Sequence, residues 1–155
     1  VDPPTDPCPA PVFILEALDP YTHGHKQNLL EVGDEYYTDE NFRLTSIPTE
    51  LEDGVWVLQA NVDNDDASAD FLSFDASENP VTVYIAYDPA GDGPTSSTHV
   101  FAPAALSGTL DVSDATVGTM SVVSAAGVTG TVTIGGNISN GGSNSQQGYV
   151  VIVVP

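Results

Sequence analysis

The residues with the clearest potential for chemistry lie in an acidic stretch near the middle of the chain. It reads D-N-D-D-A-S-A-D, and its candidate metal ligands are Asp63, Asn64, Asp65, Asp66 and Asp70. Calcium is held by about six to eight hard oxygen atoms, which closely spaced carboxylates and amides can supply. The residue spacing of an EF-hand is not present. The stretch therefore predicts either a calcium site of another kind or a solvated acidic turn.

Residue patterns for catalysis are scarce. The chain contains no G-x-S-x-G motif, the strand-to-helix turn that presents a nucleophilic serine. His23 and His25 supply two imidazoles, fewer than a transition-metal site normally uses. Cys8 is the single cysteine, so no disulfide can form within the chain. We therefore predict that the chain is not an enzyme.

Aromatic side chains and one sequon indicate a different chemistry, the recognition or attachment of sugars. Tyr21, Tyr36 and Tyr37 fall in or near predicted loops, where their rings could stack on a glycan. Trp56 lies among apolar strand residues and is expected in the core. Asn137-Ile138-Ser139 is an N-x-S sequon in a glycine-rich loop, so Asn137 is the predicted glycosylation site.

The charge balance argues against two classes of partner. The 155 residues include 22 acidic side chains but only two basic ones, Lys26 and Arg43, and the formal net charge is −20. Binding to nucleic acid or to an anionic membrane surface requires a basic footprint, which the sequence does not supply. No apolar run approaches the length of about 18 residues that a membrane-spanning helix needs. The start at Val1, without an initiator Met, predicts a processed extracellular chain.

Short strands must position these residues. Apolar segments at residues 55–60, 71–74 and 81–87 organise the middle of the chain, and the third alternates with a period of two. Further strands are predicted at residues 36–38, 42–47, 98–101, 109–112, 119–123, 130–134 and 149–154, with one helical turn at 103–106. Turn signals recur about every 8–12 residues, as in β-sandwiches. We predict an all-β, antiparallel β-sandwich of jelly-roll or immunoglobulin-like type, with an N-terminal extended strand.

Several segments resemble a known module. They read V-G-D-E-Y-Y-T-D-E-N-F-R-L-T-S-I-P-T-E-L, V-W-V-L-Q-A-N-V-D-N-D-D, D-F-L-S-F and V-T-V-Y-I-A-Y-D. Over residues 32–154 the chain resembles a β-sandwich module of large secreted bacterial multidomain proteins. The resemblance implies a non-catalytic domain that could bind glycans, and no catalytic residues are carried over.

The N-terminal residues lie outside that resemblance. We divide the chain into a proline-rich extension, residues 1–28, and a β-sandwich domain, residues 29–155. The extension contains an apolar strand whose predicted subunit contacts are Val12, Phe13, Ile14, Leu15 and Leu18. Such a strand could be added to a sheet of the next subunit, which would build a head-to-tail filament.

Two functions follow from these observations. The leading prediction is a secreted structural subunit that assembles with copies of itself into an extracellular filament, with calcium as a candidate bridging ion. The alternative is a non-catalytic carbohydrate-binding module of a secreted protein. Removal of the N-terminal strand would abolish assembly in the first case and leave ligand affinity unchanged in the second.

Overall fold

Ten short strands and one 3-10 turn make up the regular structure of the described residues. The computed structural model describes residues 26–60, 66–76, 79–139 and 148–155. In chain order the elements are β1 (Lys26–Asn28), β2 (Leu44–Ser46), the 3-10 turn (Thr49–Leu51), β3 (Val55–Leu58), β4 (Leu72–Asp75), β5 (Val81–Tyr87), β6 (Ala102–Pro103), β7 (Asp111–Val112), β8 (Ser121–Val128), β9 (Thr131–Ile134) and β10 (Val150–Val154).

A six-stranded sheet forms the central layer. Its strand order is β1-β3-β10-β5-β8-β6, and every neighbouring pair is antiparallel. Two smaller antiparallel pairs, β4-β9 and β2-β7, complete the set. The prediction of an all-β, antiparallel β-sandwich is therefore confirmed.

The central strands are buried on both faces because each carries apolar side chains at successive positions. In β3, Val55 and Val57 join one hydrophobic cluster while Trp56 and Leu58 join another. Successive side chains of a strand point to opposite faces of the sheet, so the two clusters lie on opposite sides of it. β10 shows the same division, which confirms that its continuous apolar run belongs to a strand covered on both faces.

The two small sheets cover those faces. Phe74 of β4 and Val132 of β9 belong to the cluster that contains Val55 and Val57. Leu44 of β2 and Val112 of β7 belong to the cluster that contains Trp56. Full burial of a side chain the size of Leu44 contributes about 1.5–3 kcal/mol, so the layers are held together mainly by these apolar contacts.

Two predicted strands and the helical turn are not present. Residues 36–38 do not form a strand, and a bend covers residues 37–39. The neighbouring rings of Tyr36 and Tyr37 enter the same cluster, 4.5 Å apart, where a strand would direct them to opposite faces. Residues 98–101 do not form a strand, and the helical turn predicted at residues 103–106 is absent, since β6 covers residues 102–103 and residues 104–106 have no regular structure. There, Ser96 Oγ donates to Thr133 O (2.6 Å) and Thr133 N donates to Thr98 Oγ1 (3.0 Å). Together with an isolated backbone bridge between Ser96 and Ile134, these side-chain bonds hold the segment at the edge of β9.

One end of the molecule collects the buried polar side chains, and we call it the loop end. β3 and β5 finish there beside the start of β10. The end of β9 lies at the same end, since Tyr149 Oη donates to Gly135 O at 2.9 Å. Gln59, Asp88 and Asn137, which follow β3, β5 and β9, are the buried polar residues of the described part of the chain.

The described residues contain no helix that is long and apolar enough to cross a membrane. Residues 26–28, the last three of the predicted extension, form the edge strand β1 through antiparallel pairing with β3.

Candidate functional site

An open pocket of about 440 Å³ lies beside the edge strand β1. Its lining residues are Asn28, Leu30, Asp34, Glu35, Tyr37, Thr38, Arg43 and Leu58. Leu30, Tyr37 and Leu58 are buried and form an apolar floor, whereas the other lining side chains are polar and exposed. Pockets for small ligands span about 300–1,000 Å³ and combine an apolar surface with a few polar groups. This pocket has that construction.

A tight turn places Asp34 at the pocket. Asp34 N donates to Glu31 O at 3.0 Å, and Glu31 N donates to Asp34 Oδ2 at 2.8 Å. Gly33 has a φ of 98°, which a residue with a Cβ adopts only with strain. The turn is attached to β2 because Gly33 N donates to Leu44 O (2.8 Å) and Leu44 N donates to Asp34 O (2.9 Å).

Arg43 joins the two sides of this turn. Glu35 and Arg43 form an isolated antiparallel bridge. The Arg43 guanidinium donates from Nη1 to Gly33 O at 2.7 Å and from Nη2 to Glu35 Oε1 at 3.2 Å. Its backbone N–H is held by Ser113 Oγ at 2.9 Å. The forked guanidinium thus fixes the spacing between the turn and the Glu35 carboxylate.

Tyr37 connects the floor of the pocket to the loop end. Its hydroxyl donates to Gly148 O at 2.5 Å, and Thr38 N donates to Gln59 O at 3.1 Å. Burial raises the pKa of the Tyr37 phenol well above its usual value, and the nearby Tyr36 and Asp88 raise it further. The phenol is therefore a neutral donor, and it holds Tyr37 in a fixed position under the pocket.

The open polar groups of the pocket suit a ligand with several hydroxyls. Asn28 offers an amide with both donors and an acceptor, and Thr38 offers a hydroxyl. Asp34 and Glu35 add carboxylate acceptors, and Arg43 adds donors. Leu30 and Leu58 keep 5% and 6% of their surface exposed, which gives the C–H groups of such a ligand a small apolar contact.

A second, smaller pocket of about 270 Å³ lies on the neighbouring surface. Its lining residues are Leu30, Glu31, Val32, Ile47 and Glu52. Val32 has 59% of its surface exposed, and the adjacent Leu29 has 57% exposed. This surface is mainly aliphatic and carries few of the donors and acceptors that the larger pocket has.

The predicted calcium ligands fall mostly outside the described residues. Asp63, Asn64 and Asp65 are not described, and Asp70 is exposed. Asp66 Oδ1 accepts hydrogen bonds from Ser68 N, at 2.8 Å, and from Ser68 Oγ. The described part of the chain contains no group of three or more potential metal ligands. Calcium binding by this loop therefore stays a prediction.

Two of the three predicted glycan-stacking residues are in the core. Tyr36 is fully buried and Tyr37 is 3% exposed, so neither ring has a face available to a sugar. The expectation that they are available to a glycan is wrong, because both rings point inward into the same hydrophobic cluster. Tyr21 lies outside the described residues.

Asn137 is also buried, with 4% of its surface exposed, so the predicted exposed position of the sequon is wrong. The turn that contains Asn137 is hydrogen-bonded to residues 66–68. Ile138 N donates to Asp66 O at 3.0 Å, and Gly136 N donates to Ser68 O at 2.8 Å. A glycan on Asn137 would require this turn to move away.

The predicted subunit-contact residues, Val12, Phe13, Ile14, Leu15 and Leu18, lie outside the described residues, as do His23, His25 and Cys8. The pocket itself was not predicted from the sequence. Its signals are the Gly33-Asp34 turn and the position of Arg43, the one arginine of the chain. Neither signal indicates a pocket until Glu35 and Arg43 are paired.

The sequence matches no family model and no curated protein. Among solved structures, a β-glucuronidase from glycoside hydrolase family 2 superposes on 84% of this chain, with a TM-score of 0.65 and 19% sequence identity. The match covers 13% of the chain of that enzyme, so this chain corresponds to a small part of its length. At this level of identity the likeness shows a shared fold.

Proposed function

We propose that the chain is a non-catalytic carbohydrate-binding module of a secreted protein and that its ligand occupies the pocket beside β1. The observation that carries the proposal is the construction of the pocket. Polar side chains that can bind hydroxyls, Asn28, Thr38 and Arg43 among them, surround an apolar floor of Leu30 and Leu58. Sugars present the same combination of hydroxyls and apolar C–H surface.

The structural neighbour supports the same choice. That neighbour is a β-glucuronidase of a glycoside hydrolase family, and the matched part is 13% of its chain. A similar fold does not by itself assign a function, so the proposal depends mainly on the pocket.

The proposal is tested by binding. The protein is screened against an array of neutral, amino and acidic oligosaccharides, and the best ligand is titrated by calorimetry. Asn28→Ala removes one pair of hydrogen-bonding groups, so we expect a roughly two- to tenfold loss of affinity. Asn41→Ala is the matched control, since Asn41 is also exposed but does not line the pocket. The proposal fails if no carbohydrate binds, or if both variants lose affinity equally.

Filament assembly by donation of residues 12–18 stays a prediction without support from the described residues. Deletion of residues 1–18 distinguishes filament assembly from sugar binding. Retained sugar affinity in the truncated chain favours the module proposed above. Loss of large assemblies on the same deletion would favour strand donation.

A further inference from the structure

Among the charged groups that line the pocket, the ones that remain open are carboxylate oxygens. Asp34 uses Oδ2 for the Glu31 N–H, and within the described chain its Oδ1 has no hydrogen-bond partner. Glu35 accepts the Arg43 bond with Oε1, and its Oε2 has no hydrogen-bond partner among the described residues. The Arg43 guanidinium already points one nitrogen at Gly33 O and the other at Glu35. A ligand therefore meets unused carboxylate oxygens and a cation that is already paired.

The negative charge of the whole chain also favours a positively charged ligand. Two carboxylates and one guanidinium line the pocket, so its formal charge is 1 − 2 = −1. The chain carries −20 in total and has two basic residues. A cleft with a net charge, in a protein of the same sign, attracts ligands of the opposite sign and repels those of its own. An acidic sugar would therefore be disfavoured at this position, and a sugar with a positive charge would be favoured.

We infer that the pocket beside β1 selects an amino sugar, a saccharide with a free ammonium group in place of one hydroxyl. This inference rests on the proposed function and names the chemical class of its ligand. The ammonium donates to the open oxygens of Asp34 and Glu35, while the ring lies on the apolar floor formed by Leu30 and Leu58. The Asn28 amide and the Thr38 hydroxyl bind the remaining hydroxyls.

The selectivity is measured with three oligosaccharides of equal length, built from glucosamine, from N-acetylglucosamine and from glucuronic acid. A simple alkyl diamine carries the charge without the hydroxyls. Calorimetric titration of the full chain at low ionic strength is expected to rank glucosamine first, with a two- to fivefold advantage over its N-acetylated counterpart. That range is typical of exposed charge pairs. The advantage should shrink at high salt, because screening weakens exposed pairs.

A pair of charge-neutralising variants locates the effect. Asp34→Asn removes one negative charge and retains an oxygen for the Glu31 N–H. Asp53→Asn makes the same change in net charge at an exposed position that does not line the pocket. We expect Asp34→Asn to remove most of the advantage of glucosamine, and to weaken binding of the N-acetylated sugar much less than binding of glucosamine. Asp53→Asn should change neither affinity by more than about a third.

The outcomes separate this inference from the proposed function. If N-acetylglucosamine or glucuronic acid binds as well as glucosamine, the amino-sugar inference is overturned and carbohydrate binding stands. An equal effect of Asp34→Asn and Asp53→Asn overturns the inference in the same way, since the general charge of the protein would then explain the preference. If the diamine matches glucosamine, the pocket is a cation site, and both ideas fail. If none of the saccharides binds, both fail as well.

Discussion

The hydroxyl of Tyr37 donates a hydrogen bond to the backbone carbonyl of Gly148, 2.5 Å away and 111 residues further along the chain. Tyr37 lies under the pocket beside β1, and Gly148 immediately precedes Tyr149 and strand β10. This bond therefore ties the floor of the pocket to the central sheet.

Replacement of Tyr37 by Phe tests that connection. The variant keeps the ring and loses the bond to Gly148, so we expect the free energy of unfolding to fall by about 1 kcal/mol. Tyr84→Phe is the matched control, because Tyr84 is half-buried and its hydroxyl makes no hydrogen bond to the described residues. Chemical denaturation of both variants gives the comparison. Equal stability of Tyr37→Phe and the unaltered protein would mean that the bond is unimportant.

Gly136 allows a close approach between two loops. A Cβ at this position would lie 2.2 Å from the Asp66 carbonyl oxygen. We expect Gly136→Ala to force the turn at residues 136–139 away from Asp66 and to lower stability by about 1–3 kcal/mol. Gly108→Ala is the control, since nothing lies within 4 Å of its added Cβ and its φ is not positive. Thermal unfolding distinguishes them, and a Gly136→Ala protein as stable as the control would contradict the close packing.

Alkaline pH should unfold the protein through its buried tyrosines. Burial raises the pKa of Tyr149 well above its usual value, the nearby Asp66 raises it further, and burial acts likewise on Tyr37. In the unfolded chain these phenols ionise near pH 10, whereas in the folded chain they stay neutral. Stability is therefore fully present below about pH 10 and is lost as the pH rises towards the folded-state values.

The measurement is denaturant unfolding across an alkaline pH series, with tyrosinate absorbance followed in parallel. Absorbance should rise together with loss of the native fold for the buried tyrosines. If all tyrosines ionise near pH 10 while the fold persists, the assigned burial of Tyr37 and Tyr149 is contradicted.

Arg43→Lys separates positioning in the pocket from stability of the fold. Lysine keeps the charge but cannot bond Gly33 O and Glu35 with one rigid fork. The exposed Arg43–Glu35 pair contributes little stability, so the unfolding free energy should change by less than about 1 kcal/mol. Sugar affinity should fall at least severalfold, because the turn and the Glu35 carboxylate lose their fixed spacing. If the Arg43→Lys protein loses stability as much as it loses affinity, then Arg43 has only a structural role.

Much of the fold could be predicted because burial on a strand follows a period of two. Residues 81–87 alternate in the sequence and form β5 over that same range, and the apolar run at residues 150–154 forms the doubly covered strand β10. Trp56 is fully buried, as expected for a residue within such a strand. In each case the local sequence pattern was sufficient to predict the strand, because its period determines which face of the sheet each side chain points to.

The sequence by itself determined the fold class, the central strands and the acidity that restricts the choice of ligand. The tertiary structure alone decided where the pocket lies, because Asn28, Arg43 and Leu58 come together only through pairing of β1 with β3 and of Glu35 with Arg43. It also decided the burial of Tyr36, Tyr37 and Asn137. Those positions depend on contacts between distant segments, whose packing energy overrides the local preference of a polar loop for solvent.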